Sequence, residues 1–76
     1  MIKNVKQSPH VIFGRNLCRL RNEAGLTQEA LAEKADISRR FLQEIEAGTK
    51  NPTVNVIVPL KRSLKCNWNE LMENCI

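Results

Sequence analysis

Apolar positions recur at helical spacing along almost the whole chain. Phe13, Leu17, Leu20 and Ala24 fall on one stripe, with Arg15, Arg19 and Asn22 off it, which predicts an amphipathic helix. Ser8-Pro9 supplies its start, with Ser8 as N-cap and Pro9 in the first turn, and Gly25 supplies its end. Gly14 inside this helix costs about 1 kcal/mol relative to alanine, and its use there predicts the close approach of another backbone. Leu31, Ala32 and Ala35 mark a second, shorter helix, Gln28 to Ala35, capped by Thr27, with Glu29, Glu33 and Lys34 outward. Leu42 and Ile45, with Phe41 partly buried, mark a third, Arg39 to Ala47, capped by Ser38 and stopped by Gly48.

The pattern then loosens. Val54, Ile57, Leu60 and Leu64 have the period of a fourth helix capped by Thr53, but Pro59 falls inside it. A proline there removes a backbone bond to Asn55 and clashes with its carbonyl. A kink is expected, or a loose first turn and a helix beginning near Pro59. Asn67 and Glu70 form a capping-box pair for a last short turn with Trp68, Leu71 and Met72. Residues 1–7, with Lys3 and Lys6, lack a period and read as a flexible arm before a single domain over 8–76. The fold expected is all-α, a compact bundle of about five helices.

The break at Ala35-Asp36-Ile37-Ser38 separates two short helices, and the second opens on Arg39 and Arg40. A helix, a tight turn and a helix that begins with long polar side chains can dock in a DNA major groove. The unit spans about 27–47. Charge agrees: the chain carries a formal net charge of +4 over 76 residues, which suits a polyanionic partner. Aromatics are limited to Phe13, Phe41 and Trp68, too few for the base-stacking platforms of single-strand binders.

Other chemistries find little support. Cys18, Cys66 and Cys75 are odd in number and lack CxxC spacing, so they suggest neither a disulfide framework nor a zinc site. Cys18 reads as a small core residue and Cys75 as exposed and oxidisable; reduced thiols imply a cytoplasmic setting. His10 is the sole histidine and stands at a helix start, where a solvated or capping role outweighs a catalytic one. There is no phosphate-binding glycine loop and no HExxH. No enzyme activity, cofactor, metal, small-molecule ligand or membrane span is expected.

The run Phe13-Gly14-Arg15-Asn16-Leu17, Leu20-Arg21, Gly25-Leu26-Thr27-Gln28, Leu31-Ala32, Ile37-Ser38, Ile45-Glu46, Gly48, Pro52-Thr53, Leu64 and Leu71 resembles the XRE family, the helix-turn-helix domain of Cro and phage repressors. The resemblance covers about Val11 to Met72. It implies a double-stranded DNA-binding transcriptional regulator, commonly a homodimer on an inverted repeat, with the helix after Ser38 in the major groove.

Residue by residue, it implies a phosphate contact for Gln28 beside its cap Thr27, and Lys50 in the turn after the third helix is a further phosphate candidate. Ser38, Arg39 and Arg40 would lie at the start of the recognition helix, with Gln43 and Glu44 a turn further on. Arginine suits guanine O6 and N7, glutamine suits adenine, and Glu44 suits cytosine N4 or the placement of an arginine. Arg39 and Arg40 remain open between base reader, phosphate binder and solvated face. Arg21 and Glu46 match a structural ion pair between the first and third helices.

Restriction–modification controller proteins, short phage regulators and antitoxins all share this size and family. An antitoxin or adaptor that uses the fold for protein contacts is the alternative reading. The fourth helix and the final turn commonly supply the dimer interface, so Pro59 and Lys61 put its geometry in question. No ligand-sensing unit is expected beyond the domain.

Overall fold

The structure, a computed structural model, describes residues 7–75. The arm expected over residues 1–7, with Lys3 and Lys6, falls outside the described residues except for Gln7. Five helices follow in order: α1 (Pro9–Glu23), α2 (Gln28–Ala35), α3 (Arg39–Glu46), α4 (Val54–Leu64) and α5 (Trp68–Leu71). There is no strand among the described residues. α1 packs on α3 and α5, and α2 packs on α3 and α4. The core holds Phe13, Leu17, Leu20, Leu31, Ala32, Ala35, Leu42, Ile45, Leu60 and Leu71, so every helix contributes at least one buried apolar side chain.

Local chemistry explains where α2 and α3 begin and end. Thr27 Oγ1 accepts from the Ala30 N–H at 3.0 Å, and Ser38 Oγ accepts from the Phe41 N–H at 3.0 Å. Each hydroxyl satisfies a donor that the first helical turn leaves unpaired. Between the helices Asp36 turns left-handed at φ 60°, while the Ile37 N–H bonds back to the Ala32 carbonyl at 2.9 Å. Short polar side chains tolerate that conformation better than most. The break thus folds as a tight turn of defined geometry.

Gly14 lets α1 and α3 meet. A Cβ at this position would collide with the Ile45 carbonyl oxygen and stand 3.1 Å from the Glu46 carbonyl oxygen. The close backbone approach expected from the sequence is therefore made by the last turn of α3.

Several expectations fail for local reasons. Ala24 is exposed, because α1 ends at Glu23 and the chain turns away through Gly25 at φ 73°. Ser8 and Thr53 occupy N-cap positions without a side-chain cap bond. α4 starts at Val54 and runs through Pro59 to Leu64, so the late start near Pro59 is wrong. Val56 and Ile57 donate to the Thr53 carbonyl, each at 2.9 Å, leaving one interior bond missing at Pro59. Packing of α4 on α2 through the fully buried Leu60 outweighs that loss, as tertiary contacts commonly do for short helices. Val54 points outward and is 70% exposed. Cys75 is buried rather than exposed, Cys66 is buried as well, and Cys18 is half-buried. Asn16 holds the chain end in place, its side-chain amide donating to the Leu71 and Glu73 carbonyls at 2.9 Å each.

Candidate nucleic-acid interface

The two short helices present their N-termini differently from the rest of the surface. The caps use the Ala30 and Phe41 N–H groups, and Leu31 and Leu42 donate to the Thr27 and Ser38 carbonyls at 3.0 and 3.1 Å. The backbone N–H groups of Gln28 and Glu29, and of Arg39 and Arg40, precede those bonds and have no partner within the helix. Each helix start therefore offers unspent donors and a positive dipole end.

The α3 N-terminus carries the longer side chains. Arg39, Arg40 and Gln43 are exposed. Arg40 is 88% exposed at its side chain and lies 3.7 Å from Glu44 one turn on. That loose pair tethers the guanidinium along the helix without spending its donors. Ser38 is committed to its cap, so its hydroxyl oxygen faces the backbone. Arg39 borders an open groove that Thr27, Glu29, Glu33 and Ile37 also line. Lys50 is exposed in the turn beyond α3.

The far end of α3 is fixed. Arg21 Nε donates to Glu46 Oε2 at 2.7 Å, and Arg21 Nη2 donates to Glu46 Oε1 at 3.1 Å. The side chains are 11% and 5% exposed, so the fork is bidentate and nearly dry. Arg21 Nη1 donates to the Leu26 carbonyl at 2.8 Å and Nη2 also approaches Cys18 Sγ at 3.7 Å. The hydrogen bond that Arg21 donates to Glu46, opposed by burial, raises the guanidinium above its ordinary value, so the cation persists at any working pH.

Gln28 joins this cluster. Its side-chain nitrogen donates to Glu46 Oε1 at 3.0 Å. The Glu46 carboxylate thus ties α1 and the first residue of α2 to the last of α3, and its partner Arg21 adds the turn before α2. The reading of the sequence treated Gln28 as separate from the Arg21–Glu46 pair. The signal that links them, a residue 18 positions away on another helix, has no local pattern.

A second surface feature lies away from the α2 and α3 N-termini. Trp68 is 48% exposed and Val54 is 70% exposed, and Lys61 Nζ stands 5.2 Å from the Trp68 ring centre. Among the described residues no helix is long and apolar enough to cross a membrane, and no cluster of His, Cys, Asp and Glu could hold a metal.

Comparison with known proteins places these features in context. The helix-turn-helix family HTH_3 matches residues 19–71. The chain is 38% identical over 61 residues to an uncharacterized HTH-type transcriptional regulator, y4dJ, of Sinorhizobium fredii, covering 80% of this chain and 79% of that protein. It is 27% identical over 64 residues to the control protein C.BamHI of Bacillus amyloliquefaciens, covering 83% of this chain and 79% of that protein. The crystal structure of the restriction-modification controller protein C.AhdI from Aeromonas hydrophila superposes with a TM-score of 0.77 at 34% identity, covering 82% of this chain and 94% of that one.

Proposed function

Because this chain belongs to the XRE-type helix-turn-helix family and is a DNA-binding transcriptional regulator, we propose that it acts as a homodimer on an inverted-repeat operator. Each subunit places the N-terminal turn of α3 in the major groove of one half-site. The observation that carries this reading is the contrast between the two ends of α3. Arg40 is 88% exposed at one end, while Glu46 at the other is 5% exposed and forked to Arg21. A helix anchored at its base with free guanidinium groups at its tip suits direct reading of base edges.

In this reading Arg40 and Gln43 contact bases first, with Arg39 and Glu44 beside them and Ser38 at the edge as cap. Thr27, Gln28 and Lys50 contact phosphates, which position the helix without reading sequence. The dimer forms through the α4–α5 face, where Val54 and Trp68 leave apolar surface exposed. A restriction–modification controller is the narrower form of the proposal, supported by the likeness to C.AhdI.

Selection of bound sequences from a random duplex pool at fixed salt tests the reading. An inverted repeat with half-site centres about 34 Å apart, or a multiple, is expected. Arg40→Ala should cost about 1–3 kcal/mol and relax one base position. Recovery of no motif, with binding that vanishes as salt rises, would reduce the interaction to charge alone and defeat the proposal. Sedimentation of the free protein, with Trp68 fluorescence as a second reporter, tests the dimer. Neighbouring restriction and modification genes would support the controller form.

A further inference from the structure

The dry ion pair beneath α3 has a consequence for how the protein grips DNA. Glu46 Oε1 accepts from both Arg21 and Gln28, at 3.1 and 3.0 Å. An ionised carboxylate offers no proton, so it can face only the nitrogen side of the Gln28 amide. That fixes which way the amide is turned. One Gln28 N–H is spent on Glu46, and the second belongs to the same nitrogen at the exposed N-terminus of α2, beside the unspent backbone N–H groups of Gln28 and Glu29. With the amide reversed, its oxygen would meet the carboxylate and no side-chain donor would be set in this way.

We propose that Glu46 is a positioning residue for DNA binding: through Gln28 it presets the phosphate-gripping amide at the start of α2, so that base-reading helix and backbone anchor are held by one carboxylate. The inference rests on the phosphate role of Gln28 proposed above. It assigns Glu46 and Arg21 a part in affinity beyond holding the fold. Gln28 keeps its bond to Glu46 while it contacts a phosphate, so binding needs no rearrangement of the cluster. Because phosphate contacts are blind to sequence, the effect falls equally on operator and non-operator duplex.

Four proteins decide the matter: the parent, Gln28→Ala, Glu46→Gln and the double variant, each checked for folding by urea denaturation. Dissociation constants are measured for an operator duplex and a scrambled duplex at one salt concentration. A hydrogen bond to a charged group supports an expected loss of about tenfold for each single variant on both duplexes. The double variant should lose little more than either single one, because both act on one contact. Losses that multiply would show that Glu46 acts on α3 alone and would overturn the proposal. A Gln28→Ala protein of undiminished affinity that still selects its operator would overturn it through the anchor, leaving the regulator reading intact.

Side-chain amide NMR of the parent protein decides even where Glu46→Gln fails to fold. On addition of duplex, one Gln28 amide proton should shift and the other should keep its hydrogen-bonded position. Movement of both would mean that Gln28 leaves Glu46 to reach the phosphate, and the proposal would fall.

Discussion

Gly14→Ala isolates the contact that sets how closely α3 approaches α1. Two effects oppose each other. Alanine in the middle of α1 gains about 1 kcal/mol of helix propensity over glycine. Against this, the new Cβ meets the Ile45 carbonyl oxygen and comes within 3.1 Å of the Glu46 carbonyl oxygen. The obstacle is backbone, so no side-chain rotation can relieve it, and α1 and α3 must separate. Overpacking of this kind typically costs about 1–3 kcal/mol, occasionally more. Separation also loosens Ile45 and Leu42, both fully buried, and stretches the Arg21–Glu46 fork.

Against backbone the packing cost should fall at the upper end of that range, about 3 kcal/mol, and win by about 2 kcal/mol. For a chain this small that is roughly a 10 °C fall in Tm. Gly25→Ala serves as the contrast. Nothing lies within 4 Å of its Cβ position, but its φ is 73°, so it should lose about 1–2 kcal/mol by conformation alone and leave α3 in place. Urea denaturation gives both stabilities, and operator binding should weaken beyond the loss of folded protein only for Gly14→Ala. A Gly14→Ala protein as stable as the parent would refute the reasoning, since helix propensity would then outweigh the close approach.

Other perturbations follow from the same structure. Glu46→Ala leaves the Arg21 guanidinium buried without its fork and should cost about 3–5 kcal/mol in chemical denaturation; a loss under about 1 kcal/mol would mean the pair behaves as a surface one. Pro59→Ala restores the N–H that α4 lacks and should stabilise by about 1–2 kcal/mol, less than the roughly 3 kcal/mol propensity difference because packing around residue 59 is disturbed. The thiols should separate kinetically on alkylation near neutral pH, with half-buried Cys18 ahead of buried Cys66 and Cys75. Burial raises both Cys66 and Cys75 above the ordinary value of 9.0. A raised thiol favours the neutral form in the folded state, so that part of the stability is full below about pH 9 and is lost as pH climbs through the raised values. Denaturation midpoints that stay flat through the alkaline range would contradict this.

The helices were legible where periodicity and capping agreed. Thr27 and Ser38 stand before short apolar patterns and do cap α2 and α3, and Asn67 with Glu70 forms its capping box. Gly14 was legible by its apparent cost. Pro59 misled as to where α4 begins, because a local penalty was set against no tertiary term; the burial of Leu60 and the packing of α4 on α2 show how it is offset. Val54 misled because a helical period says which positions share a face, without saying how far the neighbouring helix extends to cover it. Cys75 misled because closeness to the chain end says nothing about Asn16, which draws the last turn onto α1 through the Leu71 and Glu73 carbonyls.

The candidate site divides along a line that composition cannot draw. Arg21, Arg39 and Arg40 contribute equally to the net charge of +4, yet their roles are set by the acceptors nearby. Arg21 meets Glu46, the Leu26 carbonyl and Cys18 Sγ and has its donors spent inside the fold. Arg40 meets one carboxylate at 3.7 Å, and Arg39 makes no ion pair among the described residues. Their donors are still free for a ligand. An arginine is therefore available to DNA in proportion to the acceptors the fold withholds from it. The carboxylate that satisfies Arg21 holds α3 at the depth from which Arg39 and Arg40 project.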